Sequence, residues 1–276
     1  MVETRDKIWS RDFVTVFLVN FVMYMGQFMM STLIPKYTCQ LGGDASIVGM
    51  VSGIFAVTAL GIRPVAGPAM DYFRKDRLLT LSIGVFMLSH VCYGFARGIP
   101  MLVAARLLHG LGIGMSAPLC LALATNTLPA GKIASGLGIF SLCTAIATAI
   151  GPLVGLKLAD SIGYSNTFFI SAALMAVCFG LTLRIRADIP ERAGRFKISL
   201  NQIVAPELIL PTLVIFLLFI SYSSINSFIA LYGGLRGVAD IGLYFTASAV
   251  CLIVTRPFSG RIADRFGLDK LIIPGL

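Results

Sequence analysis

Arg106 and His109 lie one helical turn apart in the run Arg106-Leu107-Leu108-His109-Gly110-Leu111-Gly112-Ile113-Gly114, which contains no acidic residue. A guanidinium placed in hydrocarbon costs roughly 2.5 kcal/mol or more, and such a cost points to function. An imidazole titrates near neutral pH, so the pair offers proton uptake and release. A structural reading stands beside it: Arg106 hydrogen-bonds backbone carbonyls of the first apolar run, and His109 is a packed polar residue. His90, alone in its run, reads as packing. A second chemistry is hydrogen-bond recognition of a solute. Asn20, Tyr24, Gln27 and Ser31 recur at i, i+4, i+7 and i+11, a polar stripe along one helical face. Tyr222 and Asn226 form a similar pair further on. Hydrogen bonding between helices, without solute contact, explains both patterns equally well.

Catalytic and metal-binding patterns are missing. The chain has no phosphate-binding Gly-x-x-x-x-Gly-Lys-Ser/Thr, no His-Glu-x-x-His and no Ser/His/Asp set that the sequence can justify. Cys92, Cys120, Cys143, Cys178 and Cys251 sit inside apolar runs, with only Cys39 near a loop, and no Cys-x-x-Cys or Cys/His metal spacing appears. They read as small buried apolar residues. The sequence calls for no cofactor, no metal and no enzymatic activity.

The elements that must position these residues are set by composition. Hydrophobic residues make up 57% and charged residues 13%, with a mean hydropathy of +0.88. An ordinary soluble domain carries about 25% charge, so the solvent is a lipid bilayer. Runs able to cross about 30 Å of hydrocarbon as helix fall at 13–35, 47–70, 78–96, 100–125, 133–158, 164–183, 209–232 and 241–260. The first is too long for a signal-peptide core and no small-residue cleavage site follows it, so it reads as a retained span. Apart from Asp12 at the edge of the first, no Asp or Glu falls within these spans.

Lys and Arg set the orientation. Arg5, Lys7, Arg11, Arg74, Lys75, Arg77, Lys132, Arg184, Arg186, Arg192, Arg195, Lys197, Arg261, Arg265 and Lys270 fall on one side; Lys36, Arg97, Lys157 and Arg236 fall on the other. The crowded side is cytoplasmic, which places the amino terminus there. The net charge of +9 is then membrane topology, compatible with attraction to anionic lipid, and nucleic acid is not needed to explain it.

An internal duplication organises the whole. Arg63-Pro64-Val65-Ala66-Gly67-Pro68-Ala69-Met70-Asp71-Tyr72-Phe73-Arg74-Lys75-Asp76-Arg77-Leu78 aligns with Arg256-Pro257-Phe258-Ser259-Gly260-Arg261-Ile262-Ala263-Asp264-Arg265-Phe266-Gly267-Leu268-Asp269-Lys270-Leu271 at an offset of 193, with seven identities in sixteen positions. Two copies of a helical unit suit a secondary transporter, whose bundles rock about a midplane site. The expectation is an all-α polytopic membrane protein: a six-helix bundle over 1–184, a basic cytoplasmic linker over 185–206, and a partial second bundle over 207–276. On this reading helices 7 and 8 and the start of a ninth are present, and the sequence is truncated.

The duplicated loops resemble the loop signature of the major facilitator superfamily, glycine-x-leucine-alanine-aspartate-arginine-x-glycine-arginine-lysine. The copy from Gly260 to Gly267 is close; in the copy from Gly67, Arg74 stands where the family has glycine and Tyr72 where it usually has arginine. The resemblance implies a helical bundle working by alternating access, with Gly67, Asp71, Gly260, Asp264 and Arg265 as gating residues. It also places Asp264 beside the start of the fifth helix, near Pro129 to Lys132. Arg106 through Gly110 is similar to the family's arginine-x-x-x-glycine signature, whose arginine is implicated in proton transfer in proton-coupled relatives. Ala147, Gly151, Pro152 and Gly155 are similar to the signature of the antiporter branch, with alanine at its first position and Leu156 replacing a commonly doubled glycine. A packing face of small residues is the plainer reading. Family architecture puts the first and seventh helices, with Asn20, Tyr24, Gln27, Tyr222 and Asn226, around the central cavity.

The resulting expectation is a plasma-membrane transporter exporting a small organic solute in exchange for protons. A uniporter or symporter for sugars or metabolites, or a non-transporting remnant, are the alternatives. Many proton-driven exporters of the family carry a membrane-embedded carboxylate, which the predicted spans here lack; this also weakens a preference for organic cations. Oligomeric state is not legible.

Overall fold

Lipid offers no partner to a backbone amide, so apolar runs of this length close their hydrogen bonds within helices. The computed structural model describes residues 8–187, 209–221, 236–237 and 242–266, and every regular element among them is helical. In chain order these are α1 (Arg11–Gln40), α2 (Ala45–Tyr72), α3 (Lys75–Phe95), α4 (Ile99–Thr127), α5 (Ile133–Ile162), α6 (Tyr164–Thr182), α7 (Ile209–Ser221) and α8 (Gly242–Phe266). The first six are long and apolar enough to cross a membrane.

The helices mostly outrun the apolar stretches. α1 continues past Pro35 to Gln40, beyond the end read from composition. Proline is tolerated in membrane helices because neighbouring groups re-satisfy the backbone. Here Tyr37, just beyond it, is anchored through its hydroxyl, which donates to the Ala96 carbonyl at 2.6 Å. The basic loop expected over 71–77 contracts to Phe73 and Arg74, both extended, between α2 and α3. Arg74 replaces the family's glycine without strain, since no described non-glycine residue has a positive φ. The turn is closed instead by a bidentate ion pair: Arg74 Nε and Nη2 donate to Asp76 Oδ1 and Oδ2 at 3.1 and 2.6 Å. Capping supplies other ends, with Ser10 Oγ accepting from Phe13 N–H and Asp44 Oδ1 from Ile47 N–H.

α1 is central, touching α2, α4, α5 and α6; α4 is wedged between α2 and α3; α3 packs on α6; and α8 packs on α5. The wedge depends on glycine. A Cβ on Gly110 would overlap Thr58 Oγ1 and the Phe55 carbonyl of α2. One on Gly112 would lie 2.7 Å from Phe86 Cα of α3, and one on Gly114 2.7 Å from Ala59 Cα of α2. The close approach lets Thr58 Oγ1 donate to the Leu107 carbonyl at 2.9 Å. Gly67 behaves differently: nothing described lies within 4 Å of its would-be Cβ.

The core divides into two apolar slabs. One gathers Phe13, Val16, Leu79, Ile83, Leu123 and Phe140; the other gathers Met30, Leu33, Tyr37, Tyr93, Leu102 and Phe168. Aromatic groups mark both ends of α1, with Trp9 against Phe13 and Phe17 at one and Tyr37 stacked on Tyr164 at the other. Helical rise puts roughly 42 Å between Trp9 and Tyr37, matching a bilayer of about 40–45 Å including its interfaces.

Gly110→Ala is expected to lower stability by about 1–3 kcal/mol through overpacking, whereas Gly67→Ala stays within about 0.5 kcal/mol or gains from helix propensity. Thermal unfolding of both variants in detergent micelles checks this. Equal melting temperatures would mean that α4 is not wedged as described.

Candidate functional site

The two slabs sandwich a polar layer, and α4 carries its main groups there. His109 lies about 15 Å along the helix axis from Ile99, near the middle of a bilayer core about 30 Å thick. Arg106 is 3% exposed. Its Nε donates to the Val51 carbonyl at 3.0 Å and its Nη2 to that of Ser52, so the acceptors belong to α2 rather than α1. The reason is the glycine wedge, which makes α2 the near neighbour of this face of α4. The guanidinium also lies 4.4 Å from the Phe55 ring centroid, a favourable cation–π placement. The Tyr93 hydroxyl is beside it. Arg106 thus clamps α2 to α4 while its charge is met by carbonyl dipoles and an aromatic face.

His109 is fully buried and its Nε2 meets Gln27 Oε1 of α1 at 2.5 Å. With the amide oxygen accepting, Nε2 carries the proton, and Nδ1 is then a lone pair with no hydrogen-bond partner among the described residues. His90, read from sequence as packing, is the partner that reading missed. Its ring stacks on His109 at 5.5 Å between centroids and 22° between planes. Its Nδ1 donates to the Phe86 carbonyl at 2.8 Å, and its Nε2, without a hydrogen bond among the described residues, faces the backbone at Gly26. Phe55, Phe86 and Tyr93 surround the His109 ring. The layer therefore holds one clamped cation and two stacked imidazoles, each with one ring nitrogen that has no hydrogen bond among the described residues, and Gln27 is the side chain through which α1 reaches it.

The remaining candidates separate. Asn20 is 2% exposed and lies beside the Cys143 thiol of α5. Tyr24 is partly buried and stacks on Phe28 at 6.0 Å. Ser31 is exposed and donates to its own helix at the Phe28 carbonyl. The stripe on α1 thus runs from buried to open, with Gln27 joining it to α4. Tyr222 and Asn226 lie outside the described residues. Gly151 and Gly155 face α1: a Cβ on Gly151 would sit 2.9 Å from Phe28 Cβ, and one on Gly155 3.4 Å from Met29 Cα. Pro152 lies within α5 between them. Asp71 is exposed in the last turn of α2, and Arg265 is exposed in α8 with its guanidinium 5.3 Å from the Phe266 centroid. Gly260 and Asp264 lie in α8, whose contact with α5 is observed at helix level. Asp76 was also missed. Its sequence signal was there, since it recurs in register as Asp269.

Six membrane-length helices enclosing a buried polar layer define an integral, multi-pass membrane protein. The sequence profile of the Major Facilitator Superfamily matches residues 16–276. The chain belongs to that superfamily, whose members are transporters. It is 30% identical to the multidrug resistance protein MdtG of Escherichia coli (strain SMS-3-5 / SECEC) and 29% identical to that of Escherichia coli O1:K1 / APEC, in each case over 97% of this chain and 70% of the relative. Among solved structures it is similar to a peptide transporter POT in complex with sulfate, with a TM-score of 0.61, 16% identity, and coverage of 82% of this chain and 50% of that one. A POT family transporter in complex with 5-aminolevulinic acid also has a TM-score of 0.61, at 16% identity, covering 80% of this chain and 48% of that one. The chain thus spans 70% of these curated relatives and about half of the solved chains.

Arg106→Lys, unable to reach both carbonyls with one fork, is expected to lose about 1.5–3 kcal/mol. Gln27→Leu, which strands a buried imidazole N–H, is expected to lose about 1–3 kcal/mol. Melting temperatures in micelles test both, and wild-type stability of Arg106→Lys would remove the clamp from the account.

Proposed function

We propose that the protein exports a small organic solute in exchange for protons by alternating access. The supporting observation is the contact of Gln27 on α1 with His109 on α4 at mid-bilayer depth, where a solute-recognition stripe meets a titratable pair. On this reading Asn20, Tyr24 and Gln27, with Tyr222 and Asn226 opposite, form the solute path. His109 takes the proton, and Arg106 sets the field around it. The MdtG relatives, named for multidrug resistance, support efflux as the direction. Gly67 and Asp71 in one half, with Gly260, Asp264 and Arg265 in the other, serve the gate. Asp264 meets the start of α5, in keeping with the packing of α8 on that helix. Gly151, Pro152 and Gly155 let α5 slide and bend against α1. The amino terminus faces the cytoplasm of a plasma membrane.

In proteoliposomes of the full chain with an acidic lumen, a fluorescent organic solute should accumulate and a protonophore should abolish the accumulation. A panel of neutral, cationic and anionic solutes identifies the class carried. His109→Gln should reduce gradient-driven accumulation by roughly five- to 150-fold, the usual range of coupling between two sites. Equilibration indifferent to the pH gradient would replace antiport by uniport. Separately, green fluorescent protein fused before Met1 should fluoresce in cells while alkaline phosphatase at the same place stays inactive; the reverse pattern would invert the topology.

A further inference from the structure

α3 and α6 leave a groove of about 570 Å³ between them, lined by Asp76, Arg77, Leu81, Gly84, Leu88 and Phe179 among others. Its long wall follows one face of α3 from Arg77 to Leu88. That is about 16 Å of helix, roughly half the hydrocarbon thickness and so the depth of one leaflet. Gly84 leaves the floor open toward Phe179, whose ring lies 3.4 Å from where a Cβ would stand. Leu81, Leu88 and Leu183 form an apolar rim at 63%, 50% and 64% exposure. The hydroxyls nearby are turned inward, Thr80 Oγ1 donating to the Asp76 carbonyl and Thr182 Oγ1 to that of Phe179.

The other end is polar, and its charge has a sign. Asp76 is engaged by both nitrogens of the Arg74 fork and is 8% exposed, so this acid is already neutralised. Arg77 lines the groove and is exposed. Arg184 and Arg186, also exposed, alternate with the lining residues Leu183 and Ile185 at the end of α6. An apolar trough one leaflet deep beneath surplus positive charge fits an acyl chain joined to a phosphate that carries net negative charge. We propose that this groove binds one anionic glycerophospholipid, with an acyl chain along Leu81, Gly84 and Leu88 and its phosphate on Arg77, Arg184 and Arg186.

Native mass spectrometry of the full chain, titrated with phosphatidylglycerol, phosphatidylcholine or phosphatidylethanolamine of identical chains, tests the proposal. Phosphatidylglycerol should be retained preferentially. Arg77→Gln and Arg186→Gln should each reduce that preference about fivefold, while Arg97→Gln at the opposite end leaves it unchanged. Leu81→Trp, filling the trough from its rim, should weaken all three lipids alike. Glycerol 3-phosphate, which has the anion without the chain, should not compete at equal concentration. Equal retention of the three lipids, a preference for phosphatidylethanolamine, or a phosphatidylglycerol preference that survives Arg77→Gln and Arg186→Gln combined would each overturn the proposal. Competition by glycerol 3-phosphate would overturn it too, leaving a free-anion site in its place.

Discussion

The approach of α4 to α2 and α3 is the contact on which the interior depends. Three glycines, Gly110, Gly112 and Gly114, alternate between the two neighbours, and a side chain at any of them would run into backbone atoms across the interface. In lipid there is no hydrophobic force to draw helices together, so close van der Waals contact and interhelical hydrogen bonds must do it. The bond from Thr58 to the Leu107 carbonyl and the Arg106 clamp on Val51 and Ser52 exist because that distance is short. The same closeness turns Arg106 and His109 away from lipid. A charge that would be intolerable on the outer face of α4 becomes affordable against carbonyl dipoles and the Phe55 ring.

The polar layer is consequently built by backbone geometry more than by ion pairing. The only ion pair seen among the described residues joins Arg74 to Asp76, at the bundle's end, where it closes a turn. At mid-depth, Arg106 relies on carbonyls, and the imidazoles rely on Phe86 and Gln27. In such a layer any group that changes the distance between α1 and α4 changes the bond between Gln27 and His109 directly. Solute contact on α1 and protonation on α4 are therefore neighbours in the proposed cycle, without a long relay between them.

Much of the bundle was legible because lipid selects on composition, and a run of about twenty apolar residues leaves few alternatives to a helix. Helix ends were less legible. α1 passes Pro35 and α3 begins within the basic stretch, since helices continue into the interface where apolar character is no longer required. Which helix receives Arg106 was misread, because the answer lies in the small residues that decide α4's neighbours rather than in the arginine's own surroundings. The pairing of His90 with His109 had no periodic signature, as the two residues sit on different helices and meet only when Gly112 lets α3 close in. Asp76 was legible through the duplication, yet the loop's better-known aspartate, Asp71, drew the inference.

α5 carries the last consequence of small residues. Gly151 and Gly155 set it against Phe28 and Met29 of α1, one and two residues beyond Gln27, while α8 packs on it as well. One helix thus touches both the element that bears the polar stripe and a helix of the second repeat. Pro152 removes the hydrogen bond that would otherwise reach the Thr148 carbonyl, so this segment bends more readily than its neighbours. α5 packs broadly on α1 and only slightly on α4, so a displacement of α8 passed through α5 acts mainly on α1. The bond between Gln27 and His109 spans that difference, which makes it the part of the layer most exposed to rearrangement of the second repeat.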